Sequence, residues 1–464
     1  MLNYTFENLQ GETLYEHLYN CIRADIQSGK LAANEKLPSK RALSRQLSIS
    51  VMTIENAYQQ LLSEGFIYSA PRKGFFVAET EVESRKTSLD TPPVSFIEES
   101  IPDHPDYFVD FSSNGTNPND FPFVTWAKLT RRVLADDREL LMENSPSNGL
   151  YELRRAIAES LVQFRGMNVS PDCIVVGAGT ETLYTILLQL LGRNRVYATE
   201  NPGYQKIVKL LNANEIANIP IAIDDSGIST SMLAKSKASV AHITPSHHFP
   251  TGITMPVRRR NELLAWADNT QGYIIEDEYD SEFRMLGRPI PSLFSMDHHG
   301  RVIYMNTFTK SLASTIRVSY MVLPVSLMQK YYKLLSFYSC PVSTFEQLTL
   351  ADFITQGYYE KHINRMRTMF RRKRDLLMDA IKNSPLADHS RIREENAGLH
   401  FVIELDLKIS DDTFLNKLAE EDIHLLPLAA YGTSHPHAFL INYSSIPEER
   451  IEEAVARLAK CLAD

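Results

Sequence analysis

"IYMNTFTKSLASTIRVSYMVLP", residues 303–324, decides how the chain is read. It places one lysine, Lys310, directly after a Thr-x-Thr pair, Thr307 and Thr309, and seven residues before Arg317. The apolar runs on either side, Val302 to Met305 and Val318 to Val325, predict buried strands, so the lysine is delivered to a strand end. Hydroxyls and a guanidinium beside such a lysine point to a phosphate, because arginine presents a fork that matches phosphate oxygens. A lysine whose charge is disfavoured by burial is also a ready amine nucleophile.

Working outward, "VVGAGTETL" (175–183) reads as strand, small-residue turn and helix start, so Gly179, Thr180 and Glu181 offer backbone N–H groups to an anion. "YIIEDEYDSEF" (273–283) runs from a buried strand straight into acids. Asp277 falls at the strand's carboxyl end, where ligands of open α/β sheets bind, and Tyr279 follows. "ENPGYQK" (200–206) sets Tyr204 after a Pro-Gly turn. Taken singly, each motif is equally an ordinary tight turn, a packed aromatic or a helix cap. Together they meet the demands of pyridoxal 5'-phosphate (PLP): an amine for the aldehyde, donors for the phosphate, an acid for the pyridine nitrogen and an aromatic face. The set predicts an aldimine at Lys310, phosphate donors from Gly179, Thr180, Glu181, Thr307, Thr309 and Arg317, Asp277 on the ring nitrogen, Tyr279 on the phenolic oxygen and Tyr204 stacked on the ring.

Apolar strands alternate with helical stretches from Cys173 to Met305, which predicts an α/β domain with a largely parallel sheet over 109–464. From Leu399 the chain returns strands ("LHFVIELD", "FLINYS") and a helix over 448–461, a small C-terminal lobe. Upstream, "ETEVESRKTSLDTPPVSFIEESIPDHPD" (79–106) loses apolar periodicity and is rich in charge, Pro and Ser, so 79–108 is expected to be a linker.

Residues 1–78 carry a different pattern. Tyr15, Leu18, Tyr19, Ile22 and Ile26 share one helical face. "LPSKRALSRQLSISVMTIENAYQQLLSEG" (37–65) gives two short helices around a break at Ser48 to Ser50, a helix-turn-helix, and "FIYSAPRKGFFVAE" (66–79) a hairpin or wing. Between Lys36 and Ile54 stand Lys36, Lys40, Arg41 and Arg45 with no acid. A solvated basic surface would look the same; with the wing, the pattern predicts a reader of double-stranded DNA. Thr53, Asn56 and Gln59 are its candidate base readers, Arg41, Arg45, Arg72 and Lys73 its phosphate contacts, and Ser39, Lys40 and Gly74 belong to the same surface.

The whole-chain charge of −9 over 464 residues excludes a chain devoted mainly to nucleic acid, so DNA contact must come from this local patch. Four scattered cysteines, with no Cys-x-x-Cys pair and no histidines at zinc spacing, predict reduced thiols and no metal. No apolar run reaches the ~18–20 residues of a membrane span and the N-terminus lacks a signal-like core, so a cytoplasmic protein with no membrane partner is expected.

"LPSKRALSRQLSIS", "AYQQLLSEG" and "RKGFFV" resemble the GntR-type winged helix, and the body, with "GLYELRRAIAESLVQFRG" (149–166), resembles class I, fold-type I aminotransferases. Joined, and with "TPSHHFPTGITMPVRRR", "EDEYDSEF" and "NAGLHF", they resemble MocR-type regulators of the GabR and PdxR kind. The resemblance implies a head-to-tail, domain-swapped homodimer in which the aminotransferase-like body senses a small-molecule effector. The chain departs from that pattern in places. Val51 stands where the recognition helix usually begins with arginine, and Phe249 where the ring oxygen usually meets asparagine. The usual tyrosine is missing from "MENSPSNG". The C-terminal lobe supplies no arginine for an effector carboxylate; "LPLAAYGTSHPHAF" leaves Tyr431, His435 and His437 there, and Lys206 replaces a second arginine. Tyr431 and Lys206 are the candidate effector residues. The missing arginine favours PLP itself as the signal. An amino acid such as GABA, bound through an external aldimine, is the alternative, and a true aminotransferase a further one.

Overall fold

The computed structural model describes residues 4–6, 12–79, 107–113, 115–284, 290–394, 398–433 and 435–462. Nearly all of the expected linker therefore lies outside the described residues. The chain divides into two units, Met1–His104 and Pro105–Asp464.

In the first unit, helix α1 (Leu14–Gln27) buries Leu18, Tyr19, Ile22 and Ile26. Serine caps set the helix-turn-helix. Ser39 Oγ accepts from Ala42 N at 3.2 Å to start α2 (Lys40–Leu47), and Ser48 ends it in the left-handed region at φ 55°. Ser50 Oγ then accepts from Thr53 N at 3.1 Å to start α3 (Val51–Ser63). Each cap satisfies a helix N–H that would otherwise go unpaired, worth about 1 kcal/mol. Leu43, Ile54, Ala57, Tyr58 and Leu61 close the core against α1. Strands β1 (Ile67–Ala70) and β2 (Gly74–Val77) pair antiparallel as the wing, with Arg72 at φ 60° and Gly74 at φ 111° bending its tip.

The second unit is built on an eight-stranded sheet. Its order is Ile174–Gly177, Ser319–Val322, Val302–Thr307, Tyr273–Asp277, Val240–Ile243, Tyr197–Asn201, Asn218–Asp224 and Gly227–Ile228. From Val302–Thr307 to Asn218–Asp224 every pairing is parallel, while Ser319–Val322 runs antiparallel to both neighbours. Helices cover both faces, so the central strands are apolar throughout, as in Val302–Met305. A smaller antiparallel sheet, Ser390–Arg393, His400–Leu405, Ala438–Asn442 and Leu426–Pro427, forms the C-terminal lobe. The closing helix begins as a 3-10 turn, Glu448–Arg450, before continuing as Ile451–Lys460. Among the described residues, no helix is long and apolar enough to cross a membrane, and no cluster of three His, Cys, Asp or Glu side chains could hold a metal ion.

Candidate functional site

The parallel strands deliver their carboxyl ends to one cavity, and several of its functional side chains arrive from those ends. Asp277 closes Tyr273–Asp277, Thr307 closes Val302–Thr307, and Thr244 and Tyr204 follow the next two strands. The cavity wall contains Thr180, Glu181, Tyr204, Asp277, Tyr279, Thr307, Thr309, Lys310 and Arg317, together with Lys206. Gly179 stands just behind Arg317: at φ +90° it has no Cβ, and one built there would lie 2.3 Å from Arg317 Nη2. Only bare backbone lets the guanidinium settle on this turn.

Lys310 reaches the cavity from the turn after Thr309. Burial lowers its ammonium to about 8, although the Asp280 carboxylate works the other way. The Thr-x-Thr pair folds on itself. Thr307 Oγ1 donates to Thr309 Oγ1 at 2.8 Å and accepts from Ser319 Oγ at 2.8 Å and from Thr309 N at 3.1 Å. Thr307 is thus used in shaping the turn. Arg317 Nη2 meets Glu181 Oε2 at 2.8 Å, and Lys206 binds the other Glu181 oxygen. Burial pushes the Glu181 carboxyl up, but these two cations outweigh it and hold it below its usual value.

Tyr279 donates to the His247 carbonyl at 3.1 Å, which fixes its ring in the wall. Asp277 Oδ2 lies 3.5 Å from His242 Nε2. Tyr204 meets Phe249 edge to face at 5.8 Å. Tyr431, expected to bind an effector, meets Phe249 edge to face at 5.0 Å, and its carbonyl accepts from Gly203 N at 2.9 Å. The lobe loop folds inward there because Thr433 N also donates to Asn201 Oδ1 at 2.8 Å. His435 is exposed, and His437 Nδ1 pairs with Asp411 at 2.6 Å. Sequence reasoning did not single out His400, which lines the cavity beside Phe249 and is pushed down to about 4 by burial. Nor did it find the His247–Asp280 pair at 2.9 Å or the fully enclosed pair Arg165–Glu278 at 3.2 Å beneath the site. Arg165 was visible only as the end of an amphipathic helix, without a signal for its partner.

In the first unit, Arg41 and Arg45 of α2, Asn56 and Gln59 of α3, and Arg72 and Lys73 of the wing tip are all exposed. Two expected DNA contacts are otherwise engaged. Lys40 pairs with Glu55 at 2.6 Å and lies over the Phe75 ring, so its charge is spent within the head. The Thr53 hydroxyl is 2.9 Å from Ser50 Oγ and belongs to the cap. Ser39 is likewise a cap, and Gly74 supplies the wing's bend.

The family model of bacterial regulatory proteins of the gntR family matches residues 14–77. Over 447 residues the chain is 37% identical to the uncharacterised HTH-type transcriptional regulator YdeL of Bacillus subtilis, covering 96% of each. It is 28% identical to the probable rhizopine catabolism regulatory protein MocR of Rhizobium meliloti, over 96% of this chain and 93% of that one. It is 27% identical to the pyridoxine biosynthesis transcriptional regulator PdxR of Corynebacterium glutamicum, over 95% and 94%. The structure of Pyrococcus horikoshii kynurenine aminotransferase superposes with a TM-score of 0.68 at 23% identity, over 77% of this chain and 91% of that one, which shows the fold of the second unit. A GntR winged helix and a fold-type I aminotransferase-like domain thus stand in one chain that shares its whole length with HTH-type regulators, and the protein belongs to the MocR-type family of transcription regulators.

Proposed function

We propose that this regulator binds PLP in the cavity at Lys310 and answers to PLP itself. The observation that carries the reading is the lysine. It is enclosed, brought to about 8 and so partly neutral near pH 7, and set among an acid, a phenol and an anion cradle at the strand ends. The donor set fits the cofactor. Lys310 would supply the amine for the aldehyde, Thr180, Thr309 and Arg317 with the Gly179 turn would hold the phosphate, Asp277 would serve the ring nitrogen, and Tyr204 and Tyr279 would hold the ring. When bound, PLP supplies an electrophilic carbonyl conjugated to an electron sink. The chain's own part would be to lower that amine's proton affinity so that a share of it is neutral near pH 7, orient the ring and neutralise the phosphate.

A PLP signal is favoured over an amino-acid effector because the wall's other cations, Lys206 and Arg317, are both held by Glu181, and burial keeps His400 neutral. The similarity to a pyridoxine biosynthesis regulator is in keeping with this. Large apolar side chains left exposed on the second unit, among them Val124, Val325 and Phe337, are of the kind that a second copy covers, which supports a homodimer. The heads of such a dimer would grip paired sites, and PLP must bind one head arrangement more tightly than the other to shift anything. The test is a PLP titration of the purified protein. Yellow absorbance that borohydride removes, absent from Lys310→Ala, together with PLP-dependent affinity for its own upstream DNA, is expected. A Lys310→Ala variant that keeps the colour defeats the reading.

A further inference from the structure

We infer that helix α3 reads A·T pairs, with Met52 and Val51 set against the methyl groups of thymine and Asn56 and Gln59 set against adenine. This rests on the DNA-binding reading of the head but not on the cofactor. The buried side of α3 is taken by Ile54, Ala57, Tyr58 and Leu61. On the opposite side Met52, Asn56 and Gln59 follow at i, i+4 and i+7, so they line one outward face, and all three are exposed. Met52 is 66% exposed and Val51 42%, both in the first turn, which is the end that a recognition helix presents to base edges.

The chemistry of that face is selective by what it contains. Along VMTIENAYQQLLS there is no lysine or arginine, the side chains that read the O6 and N7 of guanine. Its one charged residue, Glu55, is paired with Lys40 at 2.6 Å. Asn56 and Gln59 carry the amide that pairs with adenine N6 and N7, and the C5 methyl of thymine is the apolar feature that the major groove offers to a methionine or a valine. The exposed cations stand off this face, with Arg41 and Arg45 on α2 and Arg72 and Lys73 on the wing tip, and on this reading they serve the phosphates.

The full-length protein, loaded with PLP, is used to select duplexes from a randomised pool, and thymines of the selected site are then replaced one at a time by deoxyuridine, which deletes only the methyl. The expected site has an A·T core. At one or more thymines per half-site the replacement weakens binding about fourfold, the worth of one buried methyl. Met52→Ala or Val51→Ser loses the sensitivity at its own thymine, and Asn56→Ala relaxes the adenine requirement. Both apolar positions are exposed, so these variants keep the head's core. A selected site with an obligatory guanine core overturns the inference, as does uracil DNA bound as tightly as thymine DNA, or methyl sensitivity that survives in both variants. If no duplex is selected at all, the DNA-binding reading fails first and this one with it.

Discussion

Raising the pH from 7 to 10 should switch on cofactor loading with a midpoint near 8, because that is where burial places the Lys310 ammonium. Only the neutral amine attacks an aldehyde. With a value near 8, about a tenth of Lys310 is neutral at pH 7, half at pH 8 and nine-tenths at pH 9; for an ordinary lysine at ~10.4 the fraction at pH 7 is roughly 200-fold smaller. The rate at which yellow absorbance develops should therefore rise about fivefold from pH 7 to 8 and less than twofold from pH 8 to 9. The window lies above the second ionisation of a phosphate, about 6, so the cofactor's phosphate charge is constant through it. Asp280 opposes the shift, so Asp280→Asn should move the midpoint below 8. Stopped-flow mixing of apo-protein with excess PLP measures both curves. A rate that climbs tenfold per unit up to pH 10, or a midpoint that rises in Asp280→Asn, would refute an amine governed by burial.

Other consequences can be read from single contacts. Arg165 and Glu278 lie 3.2 Å apart with almost no solvent, so Arg165→Met strands a buried carboxylate and should cost about 3–5 kcal/mol in urea unfolding; an unchanged midpoint would mean that the pair is wet. Gly179→Ala places a Cβ 2.3 Å from Arg317 Nη2 at a backbone angle that alanine resists, and PLP affinity should fall more than about tenfold with the circular dichroism spectrum retained. Glu181→Gln releases Arg317 and Lys206 to the phosphate, and the PLP dissociation constant should fall by about three- to tenfold, a modest gain because the pair is half exposed; weaker binding would instead make Glu181 an orienting partner of Arg317.

What the sequence made legible was local. The serine caps, the wing turn and the spacing of Thr307, Thr309, Lys310 and Arg317 are each written within about ten residues, and the chain's alternating strands put Asp277 and Tyr204 at strand ends without further information. Pairings across the fold were not legible. Glu181 meets Arg317 from 136 residues away, and nothing in "VVGAGTETL" says that a residue chosen for its backbone N–H would commit its carboxylate to the cradle's cations. Lys40 looked like one of four free cations because Glu55 is 15 residues on, and only the packing of α2 on α3 brings the two together. Tyr431 read as a ligand residue from its place in the lobe loop. The bonds of Thr433 and the Tyr431 carbonyl to the 201–203 turn, and the edge-to-face contact of its ring with Phe249, could not be read from that loop.

The pairing of Glu181 bears on the choice of signal. Among the described residues of the wall, the full cations are Lys206, Lys310 and Arg317. On the proposed reading Lys310 is the amine for the aldehyde, and the other two already share one carboxylate. A ligand that brings a second carboxylate must displace Glu181 from Lys206, exchanging one ion pair for another in a place open to water, where such pairs are worth at most about 1 kcal/mol. That leaves little binding energy with which an acid could be told from a neutral amine. An amino acid and its amide should then perturb the PLP-loaded protein at concentrations within about fivefold of each other. The comparison is read from the absorbance of the bound cofactor, with each ligand titrated at pH 8. A preference for the acid of a hundredfold or more would mean that Lys206 abandons Glu181 for the ligand, and would move the signal from PLP to an amino acid.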